Sequence, residues 1–207
     1  WNAKWEEEYE PVKVEDRVVV RAPFHIKSDA LIDVVIKPNM SFGTGHHDTT
    51  WMMIKAMLGL DLKGSVVLDM GCGTGVLAIV AKLLGAKRVL AIDIEEGAVG
   101  NTVENTALNG VSIDEDFTID CGTSELLASK YKGLYNIILA NINRNVLIDD
   151  MTTYNNVLKQ GGSIVFSGFF SGDVEIIKSE IQAINWTITS TLERNGWACI
   201  ICGKPVL

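Results

Sequence analysis

The sequence VVLDMGCGTG at residues 66–75 passes directly from an apolar run into a turn rich in glycine. Apolar residues then recur at helical spacing as far as Leu83, so the stretch predicts a strand, a tight turn and a helix. Glycines let the backbone turn sharply and let a ligand approach the N–H groups at the start of the helix. The stretch therefore predicts a ligand-binding turn at the end of a buried strand.

Strand-like and helical segments alternate along the rest of the chain. A closing hairpin turns at Asn195 and Gly196, with no room for a helix between its strands. Strands are predicted at residues 65–68, 88–92, 117–119, 135–140, 163–166, 186–192 and 198–202. This order predicts an α/β fold, a doubly wound and mostly parallel sheet with helices on both faces and one antiparallel strand at the C-terminal hairpin. The ligand crevice then lies at the carboxyl ends of the strands.

The composition is that of a globular protein with an acidic surface. Of the 207 residues, 47% are hydrophobic and 21% are charged, and 26 acidic against 18 basic residues give a net charge of −8. Phosphate affinity comes mostly from Lys and Arg, so we expect no direct nucleic-acid binding. Since no stretch approaches the ~18 apolar residues that a membrane helix needs, we also expect no membrane partner.

Residues 1–40 differ from the rest because prolines interrupt their short apolar runs. Strands are predicted here at residues 17–21 and 31–36. We expect residues 1–40 to form a linker and N-terminal strands that lead into one main domain, residues 41–207. The sequence starts at Trp1 without an initiator methionine, from which we expect a processed form or a fragment.

The cysteines and histidines do not form a pattern typical of a metal site. Cys199 and Cys202 are three residues apart in an apolar strand-like run, where their side chains point to opposite faces. The histidines (His25, His46 and His47) lie far upstream and complete no zinc set. We therefore expect buried cysteines, a reducing cytoplasmic location and no metal.

The spacing of the glycine turn indicates which ligand it takes. A dinucleotide turn has the form G-x-G-x-x-G and needs glycine at position 76, which is Val76. The chain instead has D-x-G-x-G-x-G, formed by Asp69, Gly71, Gly73 and Gly75. A carboxylate beside the turn suits a ligand with positive charge, such as S-adenosylmethionine, rather than a pyrophosphate. A nicotinamide-dependent dehydrogenase is the less favoured alternative.

Asp93 ends the next predicted strand, 22 residues after Gly71. An acid at this position in a nucleotide-binding crevice accepts hydrogen bonds from the ribose hydroxyls. A simple cap at the end of the strand is the structural alternative.

Residues 42–50, FGTGHHDTT, precede a predicted helix and combine two glycines, two histidines and three threonines. We expect this segment to cover the cofactor, with Thr44 as one contact. The plainer alternative is that Asp48 or Thr49 caps the helix.

Asn141 follows the fourth of the predicted strands of the main sheet. Methyl transfer to nitrogen needs the amine held in line, and an amide oxygen can hold it by accepting its N–H bonds. The chain continues with Ile142 and Asn143 rather than Pro-Pro-Tyr, which makes a flipped nucleobase an unfavourable substrate. The alternative role is a cap on the following helix.

Together these segments resemble the bacterial family of ribosomal protein L-eleven methyltransferases. The matching stretches are residues 38–50 (PNMSFGTGHHDTT), 67–78 (VLDMGCGTGVLA), 91–93, 105–111, 140–142, 167–168 and Trp197. The resemblance implies a class I methyltransferase fold, a Rossmann-like sheet of seven strands, formed here by residues 41–207. It also implies that the chain begins in the linker after a small substrate-binding domain.

The resemblance further implies an activity and a site. The activity is N-methylation of lysine ε-amines, and of an N-terminal amine, on a ribosomal protein of the large subunit. Phe42 and His47 would lie against the cofactor or the entering amine as catalytic residues, together with Asn141. The residues implied to bind S-adenosylmethionine are Thr50, Gly71, Asp93 and Asn141. A methyltransferase for another protein or a small molecule, and a cofactor-binding module without activity, remain the alternatives.

Overall fold

The computed structural model describes residues 10–38 and 48–206. Within these ranges, strands and helices alternate from Asp48 onward, after three short N-terminal strands. The elements are β1 (Val12–Val14), β2 (Val18–Arg21), β3 (Ile32–Val35), α1 (Asp48–Met57), β4 (Val66–Met70), α2 (Val76–Leu83), β5 (Arg88–Asp93), α3 (Glu96–Leu108), β6 (Phe117–Cys121), α4 (Glu125–Ser129), β7 (Tyr135–Asn141), α5 (Arg144–Val157), β8 (Leu158–Phe170), a 3₁₀ turn (Ser171–Asp173), α6 (Val174–Ala183), β9 (Thr187–Arg194) and β10 (Trp197–Gly203). None of the helices in this described part is long and apolar enough to cross a membrane.

The main sheet has seven strands in the order β6-β5-β4-β7-β8-β10-β9. The pairs along β6-β5-β4-β7-β8 are parallel, and β10 runs antiparallel to both of its neighbours. The predicted α/β fold, with one antiparallel strand in the C-terminal hairpin, is therefore confirmed. Strand order reverses between β4 and β7, and a crevice at the carboxyl ends of the strands forms at such a switch point.

Helices cover both faces of the sheet, so its central strands are buried on both sides and consist of nearly continuous apolar runs. The apolar residues form two clusters, one on each face. Cys199 belongs to one cluster and Cys202 to the other, which confirms that both are buried and point to opposite faces. Burial raises the pKa of the Cys199 thiol to about 12, so it stays protonated at neutral pH.

The N-terminal strands form a separate small sheet in the order β1-β2-β3. β1 is antiparallel to β2, and β2 is parallel to β3. Its buried valines and isoleucines pack in the same apolar cluster as α1 and α2. Arg21 and Asp33 pair across β2 and β3 through two hydrogen bonds of 2.7 and 2.9 Å, with both side chains mostly buried.

β8 starts earlier than the sequence predicts. The helical spacing of Met151, Tyr154 and Leu158 predicts that Leu158 belongs to the preceding helix, and the pair Gly161–Gly162 predicts a turn, but β8 begins at Leu158 and includes both glycines. The reason is non-local: the N–H of Gly161 donates to the carbonyl of Lys204, and the N–H of Lys204 donates to the carbonyl of Gly162. The C-terminal chain thus extends the pairing of β8.

The spacing of Val99, Val103 and Ala107 predicts a helix, and the structure has one there, α3. Its buried face is nevertheless a different one, because Val103 and Ala107 are exposed. The buried residues are Ala98, Asn101, Thr102, Asn105 and Thr106. Most of the buried side chains are therefore polar, which indicates that the helix packs against backbone groups that need hydrogen bonds.

Gly168 offers a direct test of how β7 and β8 are joined. It has φ +93°, and a Cβ atom there would lie 2.8 Å from the backbone N of Ile142 and would also overlap its carbonyl. We expect Gly168→Ala to lower the free energy of unfolding by about 2 kcal/mol or more, measured by chemical denaturation. The matched control is Gly172→Ala, where nothing lies within 4 Å of the added Cβ. Equal stabilities of the two variants would contradict this packing.

Candidate functional site

The turn between β4 and α2, residues 71–75, forms one wall of the candidate site. Gly71 and Gly75 have φ of +74° and +78°, in the left-handed region that favours glycine. A Cβ on Gly75 would lie 2.6 Å from Cγ2 of Thr102, and a Cβ on Gly71 would overlap Cγ2 of Ile142. These glycines are required because α3 and the end of β7 press against the turn.

The N–H groups of all three glycines in the turn have partners within the protein. Gly71 donates to the carbonyl of Ile92 at 2.8 Å, Gly73 to the Asp93 carboxylate, and Gly75 to the carbonyl of Cys72. A phosphate would need such groups to be free. The turn therefore offers a ligand close approach to the backbone, but not the glycine N–H donors that the sequence led us to expect.

Asp93 joins the end of β5 to this turn. Its Oδ2 accepts the N–H of Gly73 at 2.8 Å, and its Oδ1 accepts the N–H of Glu95 at 3.0 Å. The hydrogen bond from Glu95 fits the alternative role of Asp93, a cap at the end of β5. Each carboxylate oxygen has a further lone pair, so Asp93 is oriented by the backbone and can still accept from a ligand hydroxyl.

A cavity of about 510 Å³ opens between the turn and the carboxyl ends of the neighbouring strands. This volume is within the range of small-molecule sites. Three of the predicted residues, Gly71, Gly73 and Asp93, line it. The other lining residues are Met70, Ile94, Gly122, Thr123, Ile142, Val146, Asp149 and Asp150.

The far wall of the cavity is acidic and was missed by sequence reasoning. Asp150 is held by Ser124 Oγ, which donates to Oδ1 at 2.6 Å, and by the hydroxyl of Tyr154, which donates to Oδ2 at 3.2 Å. Burial raises the pKa of Tyr154 well above its ordinary value, so this hydroxyl remains a donor. The only sequence signal was a pair of acids, Asp149 and Asp150, on an amphipathic helix, where a solvated face is the ordinary explanation.

Asp69 lies beneath the turn rather than in the cavity wall. It is 1% exposed, and its Oδ2 accepts the N–H of Ala78 at 2.9 Å. Its Oδ1 is buried without a hydrogen-bond partner in the described part of the chain. Burial, together with the charge of Asp93, raises the pKa of Asp69 to about 7. A positively charged ligand group at the turn would stabilise the ionised form, so the site fits the charge of S-adenosylmethionine.

Asn141 is the last residue of β7 and is not itself part of the cavity lining, but the next residue, Ile142, is. The cap of α5 is Asn143, whose side chain accepts the N–H of Asn145 at 2.9 Å. Asn141 therefore does not cap this helix. Among residues 10–38 and 48–206 its half-buried side chain makes no hydrogen bond, so its amide is available to a substrate.

Thr50 is buried in the first turn of α1 and does not line the cavity described above. That turn is attached to the C-terminal hairpin, because Arg194 and Asn195 donate to the Asp48 carboxylate at 2.7 and 3.2 Å. Three further predicted site residues, Phe42, Thr44 and His47, lie outside the described residues.

The strand order, the D-x-G-x-G-x-G turn and the acid at the end of β5 define a class I S-adenosylmethionine-dependent methyltransferase. The family described as ribosomal protein L11 methyltransferase matches residues 1–205. The chain belongs to this family.

Individual relatives agree with this assignment. A ribosomal protein L11 methyltransferase of Porphyromonas gingivalis is 44% identical over 202 residues, which cover 97% of this chain and 68% of the relative. The crystal structure of a ribosomal protein L11 methylase from Lactobacillus delbrueckii subsp. bulgaricus has the same fold, with a TM-score of 0.83 at 24% identity over 95% of this chain and all of that one. Another methyltransferase structure, with a TM-score of 0.64 at 13% identity over 78% of this chain and 50% of that one, contains S-adenosylhomocysteine.

The buried Asp69 makes stability depend on pH in a defined direction. The folded state keeps this proton to about pH 7, whereas the unfolded chain loses it near 3.8. The folded state therefore binds more protons between these values, and the free energy of unfolding falls as the pH rises. We expect the stability of Asp69→Asn relative to the unsubstituted protein to rise across this window, by on the order of 4 kcal/mol.

Urea denaturation of both proteins at several pH values measures this difference. If the difference in free energy of unfolding between the two proteins stays constant with pH, the raised pKa of Asp69 is contradicted.

Calorimetry at about pH 6 gives a second test. Binding of S-adenosylmethionine should release protons, because its positive charge favours the ionised form of Asp69. The variant Asp69→Asn should bind the cofactor without releasing protons.

Proposed function

We propose that this chain methylates ribosomal protein L11, at lysine ε-amines and at an N-terminal amine. The observation that carries the assignment to an amine is the amide of Asn141, which makes no hydrogen bond within the described residues and directly precedes Ile142, a residue of the cavity lining. The names of the relatives support the substrate. The absence of Pro-Pro-Tyr after Asn141 argues against a nucleobase as the substrate.

The residues that would hold the cofactor follow from the site. Asp93 would accept the ribose hydroxyls, the glycine turn would allow close approach of the cofactor to Gly71 and Gly73, and Asp69 would balance positive charge. Thr50, Thr44 and Gly75 complete the proposed cofactor contacts. When bound, S-adenosylmethionine would supply a methyl group on a positively charged sulfur: the carbon–sulfur bond would break as the neutral amine nitrogen bonds to the methyl carbon, with S-adenosylhomocysteine as the leaving group.

The protein must present that amine in its neutral form, because an ammonium has no lone pair. Lysine has an ordinary pKa near 10.4, and transfer into a cavity with little water lowers it. Asn141 would accept an N–H of the amine through Oδ1 and so direct the lone pair towards the methyl group. Phe42 and His47, outside the described residues, are proposed to contact the cofactor or the entering amine. No strong base is needed in this scheme.

The proposal also includes the organisation and location of the chain. Residues 1–40 would serve as a linker with N-terminal strands, and residues 41–207 as the methyltransferase domain. The small sheet packs against the helices of that domain. A cytoplasmic location fits both a ribosomal substrate and four cysteines that are all unpaired thiols.

Asn141→Ala and Asp93→Ala should fail in different ways. Asn141→Ala should lose methyl transfer while keeping most of its affinity for S-adenosylhomocysteine, because only the orientation of the amine is removed. Asp93→Ala should weaken cofactor binding by about 1 to 3 kcal/mol. Calorimetric binding and single-turnover methyl transfer separate the two effects. Asn143→Ala, which removes a helix cap beside the site, is the control and should keep activity.

Intact-protein mass spectrometry of ribosomal protein L11, incubated with this chain and S-adenosylmethionine, tests the function. Mass gains in steps of about 14 Da are expected, one for each methyl group. Asn141→Ala should give none. If the unsubstituted protein binds the cofactor but adds no mass to ribosomal protein L11, the substrate is wrong, and another protein or a small molecule takes its place.

A further inference from the structure

In the described part of the chain, the outer edge of β3 and the residues just after it contact side chains rather than another strand: those of Asn105 in α3 and of Asn109, which caps the C-terminal end of α3. Asn109 accepts the N–H of Val35 at 2.8 Å and donates to the carbonyl of the same residue at 2.7 Å. Two residues further along the chain, the N–H of Lys37 donates to Oδ1 of Asn105 at 2.8 Å. Four helical residues rise about 6 Å and two extended residues span about 6.6 Å, so the spacing of the two asparagines matches the edge of the strand.

Asn105 differs from Asn109 in what its amide nitrogen contacts. Its Nδ2 donates at 2.8 Å to the carbonyl of Thr74, inside the glycine turn, and the whole residue is buried. The amide of Asn109 instead makes its second donation, at 2.7 Å, to the carbonyl of Asn105. Of these two asparagines, Asn105 is the one that connects the turn to the chain just after β3.

We propose that Asn105 is a positioning residue for the cofactor. Its Nδ2 donates to the carbonyl of Thr74 and its Oδ1 accepts the N–H of Lys37, so the side chain fixes these two backbone groups relative to each other. The turn between Gly73 and Gly75 is thereby held at a set distance from the end of the N-terminal sheet. Without Asn105, the buried carbonyl of Thr74 and the partly buried N–H of Lys37 lose their partners, and the turn relaxes away from the conformation that receives the cofactor.

The inference concerns binding of the cofactor and does not depend on which substrate is methylated. The comparison is between Asn105→Ala and Asn109→Ala, since each removes two hydrogen bonds to backbone groups outside its own helix. By calorimetry with S-adenosylhomocysteine, Asn105→Ala should raise Kd about tenfold, and Asn109→Ala should leave Kd within about twofold. In methyl-transfer assays, Asn105→Ala should raise the KM for S-adenosylmethionine and leave kcat within about threefold.

A second variant covers the case in which Asn105→Ala does not fold. Asn105→Asp has nearly the same volume and can still accept the N–H of Lys37, but it presents an oxygen to the carbonyl of Thr74. At about pH 8 it should weaken binding at least tenfold, whereas Asn109→Asp should not. Equal effects of the substitutions at the two positions, or unchanged binding in both variants of Asn105, would overturn the proposal. Failure of the unsubstituted protein to bind would instead contradict the cofactor assignment itself.

Discussion

The Asp93 carboxylate accepts the N–H of Gly73 at 2.8 Å, and this hydrogen bond joins the ends of two neighbouring strands across the site. The turn is supported on its other side by α3, where Thr102 donates to the carbonyl of Gly73 at 3.0 Å and Asn105 donates to that of Thr74. Successive peptide groups are thus fixed by side chains from two different elements. Because each contact is buried or partly buried, the turn exists in its observed form before a ligand arrives.

This pre-formed turn determines which charges meet the ligand. Asp93 faces the cavity with its orientation fixed by two backbone N–H groups, whereas Asp69 is buried beneath the turn with one oxygen unpaired. Burial raises the pKa of Asp69 to about 7, so ionising this carboxylate is costly unless a positive charge approaches. The glycine N–H groups that would attract a phosphate are already used. Selection of a cationic cofactor over a dinucleotide therefore follows from both the donors and the acids of the turn.

Sequence reasoning located the parts of the site that depend on local pattern. Asp93 and Asn141 follow apolar runs, so their place at the carboxyl ends of strands could be predicted, as could the glycine turn. The hydrogen bonds from Thr102 and Asn105 to the glycine turn were missed. The helix α3 was predicted from Val99 and Val103, and these valines are partly buried and exposed, so they do not mark its buried face. Polar residues recurring at helical spacing, from Thr102 through Asn105 and Thr106, were the available signal. Their partners lie about thirty positions earlier in the chain, which no local pattern reveals.

A crystal structure of the protein with S-adenosylhomocysteine tests the account most directly. We expect the ribose hydroxyls at about 2.7–3.2 Å from the Asp93 carboxylate in the cavity of about 510 Å³, with the sulfur directed towards Asn141. An adenosine bound elsewhere, with Asp93 making only its two backbone hydrogen bonds, would contradict the central claim. So would a sulfur directed away from Asn141, because no amine held there could then be methylated.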